Sequence, residues 1–130
     1  MSRILVVDDD AAIRALLREF LEGEGHQVVE ATDGKQGVRR YRENPTEIVI
    51  TDVLMPEQDG LELIMELRER FPELPIIAIS GGGRGVDAKL GLHLAHCFGV
   101  MHCLHKPFTK EQVLRAVHQT LNGMDSLLQQ

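Results

Sequence analysis

The chain has 130 residues, 43% hydrophobic and 26% charged, which fits one globular domain with a real core and excludes an intrinsically disordered segment. Its formal net charge of -6 argues against a direct nucleic-acid partner or an anionic membrane surface, since both want a basic patch. No leader precedes the first apolar run, no run is long enough to span a bilayer, and the two cysteines, Cys97 and Cys103, make no disulfide framework, so the expected location is the cytoplasm.

Arg3 to Val7 is a short apolar run that reads as a first strand, ended by Asp8-Asp9-Asp10. Ile13, Leu16, Leu17, Phe20 and Leu21 recur at helical spacing, with Arg14, Arg18, Glu19 and Glu22 on the other face, and Gly23 and Gly25 stop that helix. His26 to Ala31 is a second strand. Asp33-Gly34 is a turn and cap signal, and Gly34 to Asn44 reads as a helix ended by Pro45. Its basic residues Arg39, Arg40 and Arg42 read as a solvated face. The third strand, Ile48-Val49-Ile50-Thr51-Asp52, is a continuous apolar run leading into one carboxylate, the pattern of a buried strand in a parallel sheet. A loop with Met55-Pro56 and Asp59-Gly60 follows it. Leu61, Leu63, Ile64, Leu67 and Phe71 then give a third helix, ended at Pro72.

Pro75 to Ser80 is a fourth strand. Gly81 to Gly85 is almost all glycine and reads as a mobile loop. Asp87 to Phe98 reads as a fourth helix, weakened by Gly91, and Met101 to His105 as a fifth strand. After the turn Lys106-Pro107-Phe108, Thr109 with Gln112 fits a capping box, and Val113, Leu114, Val117 and Leu121 give a fifth helix. The domain is expected over 1–122, with Gly123 to Gln130 as a frayed tail.

Strict β-α alternation argues for an α/β fold with a parallel sheet and helices on both faces. Right-handed crossovers then put every strand's carboxyl end on one edge, where ligands bind in such sheets. Asp8 and Asp9, Asp52, Ser80 and Lys106 stand at that edge. Carboxylates placed together repel and raise one another's pKa, and a hard divalent cation such as Mg²⁺ relieves this while accepting a phosphoryl oxygen. A lysine supplies a point charge for the same group, and a serine a hydroxyl donor. Phosphoryl transfer needs mainly positioning and charge neutralisation, and a carboxylate can be the nucleophile. The constellation reads as a carboxylate that accepts a phosphoryl group with Mg²⁺ assistance.

Val6-Val7-Asp8-Asp9-Asp10, Asp52-x-x-Met55-Pro56 with Asp59-Gly60, then Ser80, then Lys106-Pro107-Phe108, together resemble the receiver domain of two-component response regulators. The match runs from about Arg3 to Leu121. Each piece is weak, but all of them in order at strand ends are specific. The resemblance implies a flavodoxin-like (βα)5 doubly wound sheet of strand order 2-1-3-4-5. It implies that Asp52 is the phospho-acceptor for a histidine kinase or histidine phosphotransfer protein. Asp9, Asp52 and the backbone carbonyl of Leu54 would hold Mg²⁺, with Asp8 acting through bound water. Lys106 would pair with the phosphoryl oxygens, its bond to Pro107 cis, and Ser80 would be the switch hydroxyl. Gly81 would leave room for the donor. The switch would reshape the face of the fourth helix, fifth strand and fifth helix for a downstream protein target. In this reading the chain catalyses only its own phosphorylation and dephosphorylation and is not otherwise an enzyme.

Two departures from the family stand out. Cys103 occupies the position of the usual switch aromatic, three residues before Lys106, and the stretch from Ser80 to Lys106 is several residues longer than usual. His93, His96 and Cys97 share a helix face, and His102, Cys103 and His105 follow; these are zinc-competent types, but their spacing fits no zinc motif. Two other readings compete. Asp8-x-Asp10 resembles the nucleophile motif of haloacid-dehalogenase-type phosphatases, though Ala11 and Ala12 follow it and no late acidic pair appears. A binding module of receiver fold that works without phosphorylation would not need the intact set of Asp8, Asp9, Asp52, Ser80 and Lys106.

Overall fold

Along the inner strands every second side chain points to the same face, and nearly all of them on both faces are branched aliphatics. Such strands must be covered on both sides, and a parallel sheet with helices on each face is the arrangement that does so. The computed structural model describes residues 2–53, 59–81, 93, 99–100 and 102–128, without the side chains of 59 and 124–128. Its five strands are β1 (Arg3–Val7), β2 (Gln27–Ala31), β3 (Ile48–Asp52), β4 (Ile76–Ser80) and β5 (His102–His105). They pair in parallel in the order β2-β1-β3-β4-β5, as expected. Helices α1 (Ala11–Glu22), α2 (Gly34–Glu43), α3 (Asp59–Arg70) and α4 (Lys110–Leu128) are those of the described residues. The helix expected over Asp87–Phe98 lies outside them, apart from His93.

The alternation splits the core in two. Ile4, Val6, Ile48, Ile50, Ile77, Ile79 and Leu104 meet Leu17 and Leu21 of α1 and Val113, Ala116 and Val117 of α4. Leu5, Val7, Val49, Ile76 and Ala78 meet Val38 and Tyr41 of α2 and Leu63, Ile64 and Leu67 of α3. Each of these fully buried aliphatic side chains contributes roughly 1.5–3 kcal/mol of burial free energy. Tyr41 and Phe71 close the second layer edge to face, with ring centroids 4.7 Å apart. No helix among the described residues is long and apolar enough to cross a membrane.

Several boundaries differ from the sequence reading for definable reasons. α1 stops at Gly23 in right-handed geometry, and the left-handed turn falls at Gly25, with φ 89°. β2 begins at Gln27 because the His26 N–H still belongs to the turn that ends α1, donating to the Leu21 carbonyl at 3.1 Å, while the Gln27 N–H is the first to reach β1's side, donating to the Ser2 carbonyl at 2.8 Å. β4 begins at Ile76 because Pro75 has no N–H for the ladder, although its carbonyl accepts from Val49 at 3.1 Å. The helix of Lys110 does not fray at Gly123 but runs on to Leu128. Glycine weakens a helix without ending it, and no proline follows. The Thr109 capping box is present in both directions: Thr109 Oγ1 accepts from the Gln112 N–H at 3.1 Å, and Gln112 Oε1 accepts from the Thr109 N–H at 2.9 Å.

Candidate functional site

β1 delivers Asp8 directly after Val7, and Asp8 is fully buried. Its N–H adds one more bond toward β2, donating to the Ala31 carbonyl at 3.2 Å. Its Oδ1 accepts from the Asp10 N–H at 2.8 Å, an Asx turn that swings the chain out of the sheet. Asp10 then caps α1, Oδ1 accepting from the Ala12 N–H at 2.9 Å. Asp9, between them, is exposed. β3 lies beside β1 with Val7 opposite Thr51, so Asp52 arrives next to Asp8. Asp52 is 3% exposed. One carboxylate oxygen from each of Asp8, Asp9 and Asp52 lies within 4.8 Å of the others.

Lys106 enters from the end of β5. Its ammonium donates to Asp52 Oδ2 at 2.8 Å and stands 3.1 Å from Asp8 Oδ2. The second approach is an ion pair without hydrogen-bond geometry, so Asp8 Oδ2 is a buried carboxylate oxygen with no hydrogen-bond partner among the described residues. The Lys106 N–H donates to the Ser80 carbonyl at 2.9 Å, tying the ends of β4 and β5 together, and the Lys106–Pro107 bond is cis. Ser80 is buried at the end of β4.

The electrostatics follow from burial first. Burial pushes the Asp8 carboxyl up to about 6 from an ordinary 3.8; the charge of Asp52 adds to the rise, while the Asp10 N–H and Lys106 oppose it. Repulsion between carboxylates is thus the smaller cause. Burial alone would lower the Lys106 ammonium, but the hydrogen bond and charge of Asp52, with the charge of Asp8, outweigh it and hold Lys106 above its ordinary range. A lysine locked in its charged form faces two buried carboxylates, and a buried orphaned oxygen remains. Oxygen donors of this kind fit a hard divalent cation.

The sequence reading missed three contributors. Asp10 as a helix cap had a visible signal, an Asp just before the apolar period of α1. Gly60 had none. A Cβ built there would lie 1.8 Å from the carbonyl oxygen of Asp52, so only glycine lets α3 start against the end of β3. Arg14, placed by the sequence on the polar face of α1, is largely covered and donates from Nη1 to the Asp8 carbonyl at 2.7 Å.

Asp8, Asp9, Asp52 and Lys106 are therefore brought together, with Ser80 on the adjoining strand end. Leu54, Met55 and Pro56, the glycines 82–85, and His96 and Cys97 lie outside the described residues. His105 is exposed. Among the described residues, Asp8, Asp9 and Asp52 are the one grouping of three or more His, Cys, Asp or Glu close enough to share an ion. Cys103 packs partly buried against the α2–α3 core layer, and burial pushes its thiol up.

A family model described as the response regulator receiver domain matches residues 4–118. The chain belongs to that family. It is 35% identical over 124 residues to the chemotaxis protein CheY of Bacillus subtilis (strain 168), covering 92% of this chain and 98% of that one. It is 36% identical over 118 residues to the response regulator GtcR of Aneurinibacillus migulanus, covering 91% of this chain and 47% of GtcR. The chain thus spans about half the length of several of the curated relatives it matches. A crystal structure of a response regulator receiver domain protein from Clostridium thermocellum superposes with a TM-score of 0.86 at 29% identity, covering 98% of this chain and 99% of that one. Receiver domains are signalling modules rather than enzymes acting on an outside substrate, and they work between histidine kinases and downstream targets.

Proposed function

We propose that this receiver domain is switched by phosphorylation of Asp52. The observation that carries the reading is the Lys106 ammonium held between Asp52 Oδ2 and Asp8 Oδ2 beside a third carboxylate, Asp9. In the transfer, an Asp52 carboxylate oxygen attacks phosphorus and forms an acyl phosphate. The bond from phosphorus to the donor breaks, and the donor leaves with its electron pair: an imidazole nitrogen from a histidine kinase or histidine phosphotransfer protein, acetate from acetyl phosphate. Asp9, Asp52 and the Leu54 carbonyl would hold Mg²⁺, with Asp8 through water. The ion supplies charge neutralisation of the phosphoryl oxygens. Lys106 supplies a further positive charge on the same oxygens.

Ser80 is the hydroxyl expected to follow the phosphoryl group. With Cys103 in place of an aromatic ring, the output rests on Ser80 and on packing between β5 and α4. A cleft of about 270 Å³ there is lined by His102, His105, Pro107, Gln112, Arg115 and Gln119, a polar surface with one cation that a downstream protein target could use. The signalling unit spans 1–122, with 123–130 as a C-terminal segment whose first part, to Leu128, continues α4, and the proposed location is the cytoplasm.

The test is intact mass after incubation with acetyl phosphate, with and without Mg²⁺, for the wild type and Asp52→Asn. A Mg²⁺-dependent gain of one phosphoryl group that the variant lacks is the expected result. No gain in folded protein would leave a binding module that works without phosphorylation.

A further inference from the structure

The β1–β2 ladder gives out at the point where the acidic site begins. Asp8 donates to the Ala31 carbonyl at 3.2 Å, and among the described residues no backbone N–H of the β2 side reaches the Asp8 carbonyl. The Asp8 carbonyl is taken by Arg14 instead, from Nη1 at 2.7 Å. Arg14 is itself held: its Nε pairs with Glu30 Oε1 at 3.1 Å, and the other oxygen of Glu30 pairs with Arg18 Nε at 2.6 Å. Arg18 in turn pairs with Glu22 at 2.9 Å. The Arg14 side chain is only 15% exposed.

We propose that Arg14 is a positioning residue for the acidic site: braced by Glu30, it fixes the peptide between Asp8 and Asp9 and so sets the direction in which Asp9 presents its carboxylate. The proposal rests on the Mg²⁺-dependent reading above. Asp9 is exposed, so the plane of the peptide that precedes it constrains where its carboxylate goes. A charge-assisted bond to the preceding carbonyl is a stiff way to set that plane. Groups that orient ligands without touching the ion typically change metal affinity by about 10–100-fold when removed.

The sign separates this from simple electrostatics. Arg14 is a cation near a cation site, and on charge alone its removal would tighten Mg²⁺ binding. Positioning demands the opposite.

The experiment is Mg²⁺ titration by calorimetry on wild type, Arg14→Met, Arg14→Lys, Glu30→Gln and Arg18→Met, alongside urea denaturation of each. Arg14→Met should bind Mg²⁺ about tenfold more weakly. Arg14→Lys, which keeps a cationic donor but not the fork that serves Asp8 and Glu30 together, should recover part of the loss. Glu30→Gln should weaken binding less than Arg14→Met. Arg18→Met, which has no contact with Asp8, should lower the urea midpoint without weakening Mg²⁺ binding as Arg14→Met does. Equal or tighter binding by Arg14→Met overturns the proposal. If Arg14→Met does not fold, Glu30→Gln decides: wild-type affinity there overturns it. A wild type that binds no Mg²⁺ overturns the receiver reading, and this inference falls with it.

Discussion

Gly60→Ala is the substitution whose effect the structure fixes most closely. Gly60 is the second residue of α3, and a Cβ there would sit 1.8 Å from the Asp52 carbonyl oxygen and 2.8 Å from both the Asp52 carbonyl carbon and Val53 Cα. These are backbone atoms of the central strand's end, so no side chain can swing aside. Reaching even 3.0 Å requires α3 and β3 to part by about 1.2 Å at that point. α3 seats Leu63, Ile64 and Leu67, all 2% exposed or less. Their burial is worth about 6 kcal/mol together. A gap near 1 Å forfeits roughly a quarter to a half of their packing contacts, or about 2–3 kcal/mol. Residual strain adds about 1 kcal/mol, and alanine's better helix propensity returns about 1 kcal/mol. The net loss is about 2–3 kcal/mol. Followed by far-ultraviolet circular dichroism, it should lower the urea midpoint by about 1–2 M. Gly81→Ala is the control. A Cβ at Gly81 meets nothing within 4 Å among the described residues, so its change should stay within about 0.5 kcal/mol. A Gly60→Ala protein as stable as wild type would refute the seating of α3 on the Asp52 carbonyl.

Gly123→Ala should act in the opposite direction. Gly123 lies inside α4, and a Cβ there meets nothing within 4 Å among the described residues, so alanine should add about 0.5–1 kcal/mol and raise the thermal midpoint by a few degrees; a lowered midpoint would mean that α4 does not run through this residue. Glu30→Gln carries a pH signature. The hydrogen bond from Arg18, against burial and with the help of the bond from Arg14, holds the Glu30 carboxyl below its ordinary 4.5. A carboxyl whose pKa is lower folded than unfolded contributes stability above the unfolded pKa, and loses it as pH falls through the folded pKa. At pH 7 the variant should be less stable by about 1 kcal/mol, less in high salt because the pair is partly exposed. The gap to wild type should close once the pH is taken below Glu30's folded pKa. Urea midpoints that differ equally at pH 7 and in acid would show that the ion pairs contribute nothing through charge.

Much of this molecule was legible in its sequence because the decisive signals are local. Ile48-Val49-Ile50-Thr51 announces a strand buried on both faces, and the alternation Ile4-Leu5-Val6-Val7 supplies one side chain to each core layer in turn. Once the strands are parallel, handedness alone brings Asp8, Asp9, Asp52, Ser80 and Lys106 to one edge. What escaped was what depends on contact between distant elements. Arg14 stands at a polar position of α1 and looks solvated; only the seating of α1 against the end of β1 turns its guanidinium inward to the Asp8 carbonyl. Gly60 looks like an ordinary loop-to-helix glycine, and the requirement for it comes from Asp52, a strand away. The end of α4 escaped for another reason. Gly123 was given the weight of a stop signal, yet an exposed glycine costs a helix only about 1 kcal/mol, too little to end it unaided.

The same distinction bears on the switch. Cys103 and Ser80 are both inner-edge positions, with Cys103 opposite Ala78 and Ser80 opposite His105 across the β4–β5 pair. An aromatic ring at 103 would couple a rotation there to a large change of buried area. A thiol cannot, since its volume is small and it already packs against Val100 and the α2–α3 layer. The link between β4 and β5 that remains next to the site is the backbone bond from Lys106 to the Ser80 carbonyl at 2.9 Å. One residue, Lys106, thus holds the Asp52 carboxylate with its side chain and the end of β4 with its backbone. On the proposed function, a change that draws the ammonium toward a new charge on Asp52 would be carried into the β4–β5 pairing, and from there to the surface shared by β5 and α4.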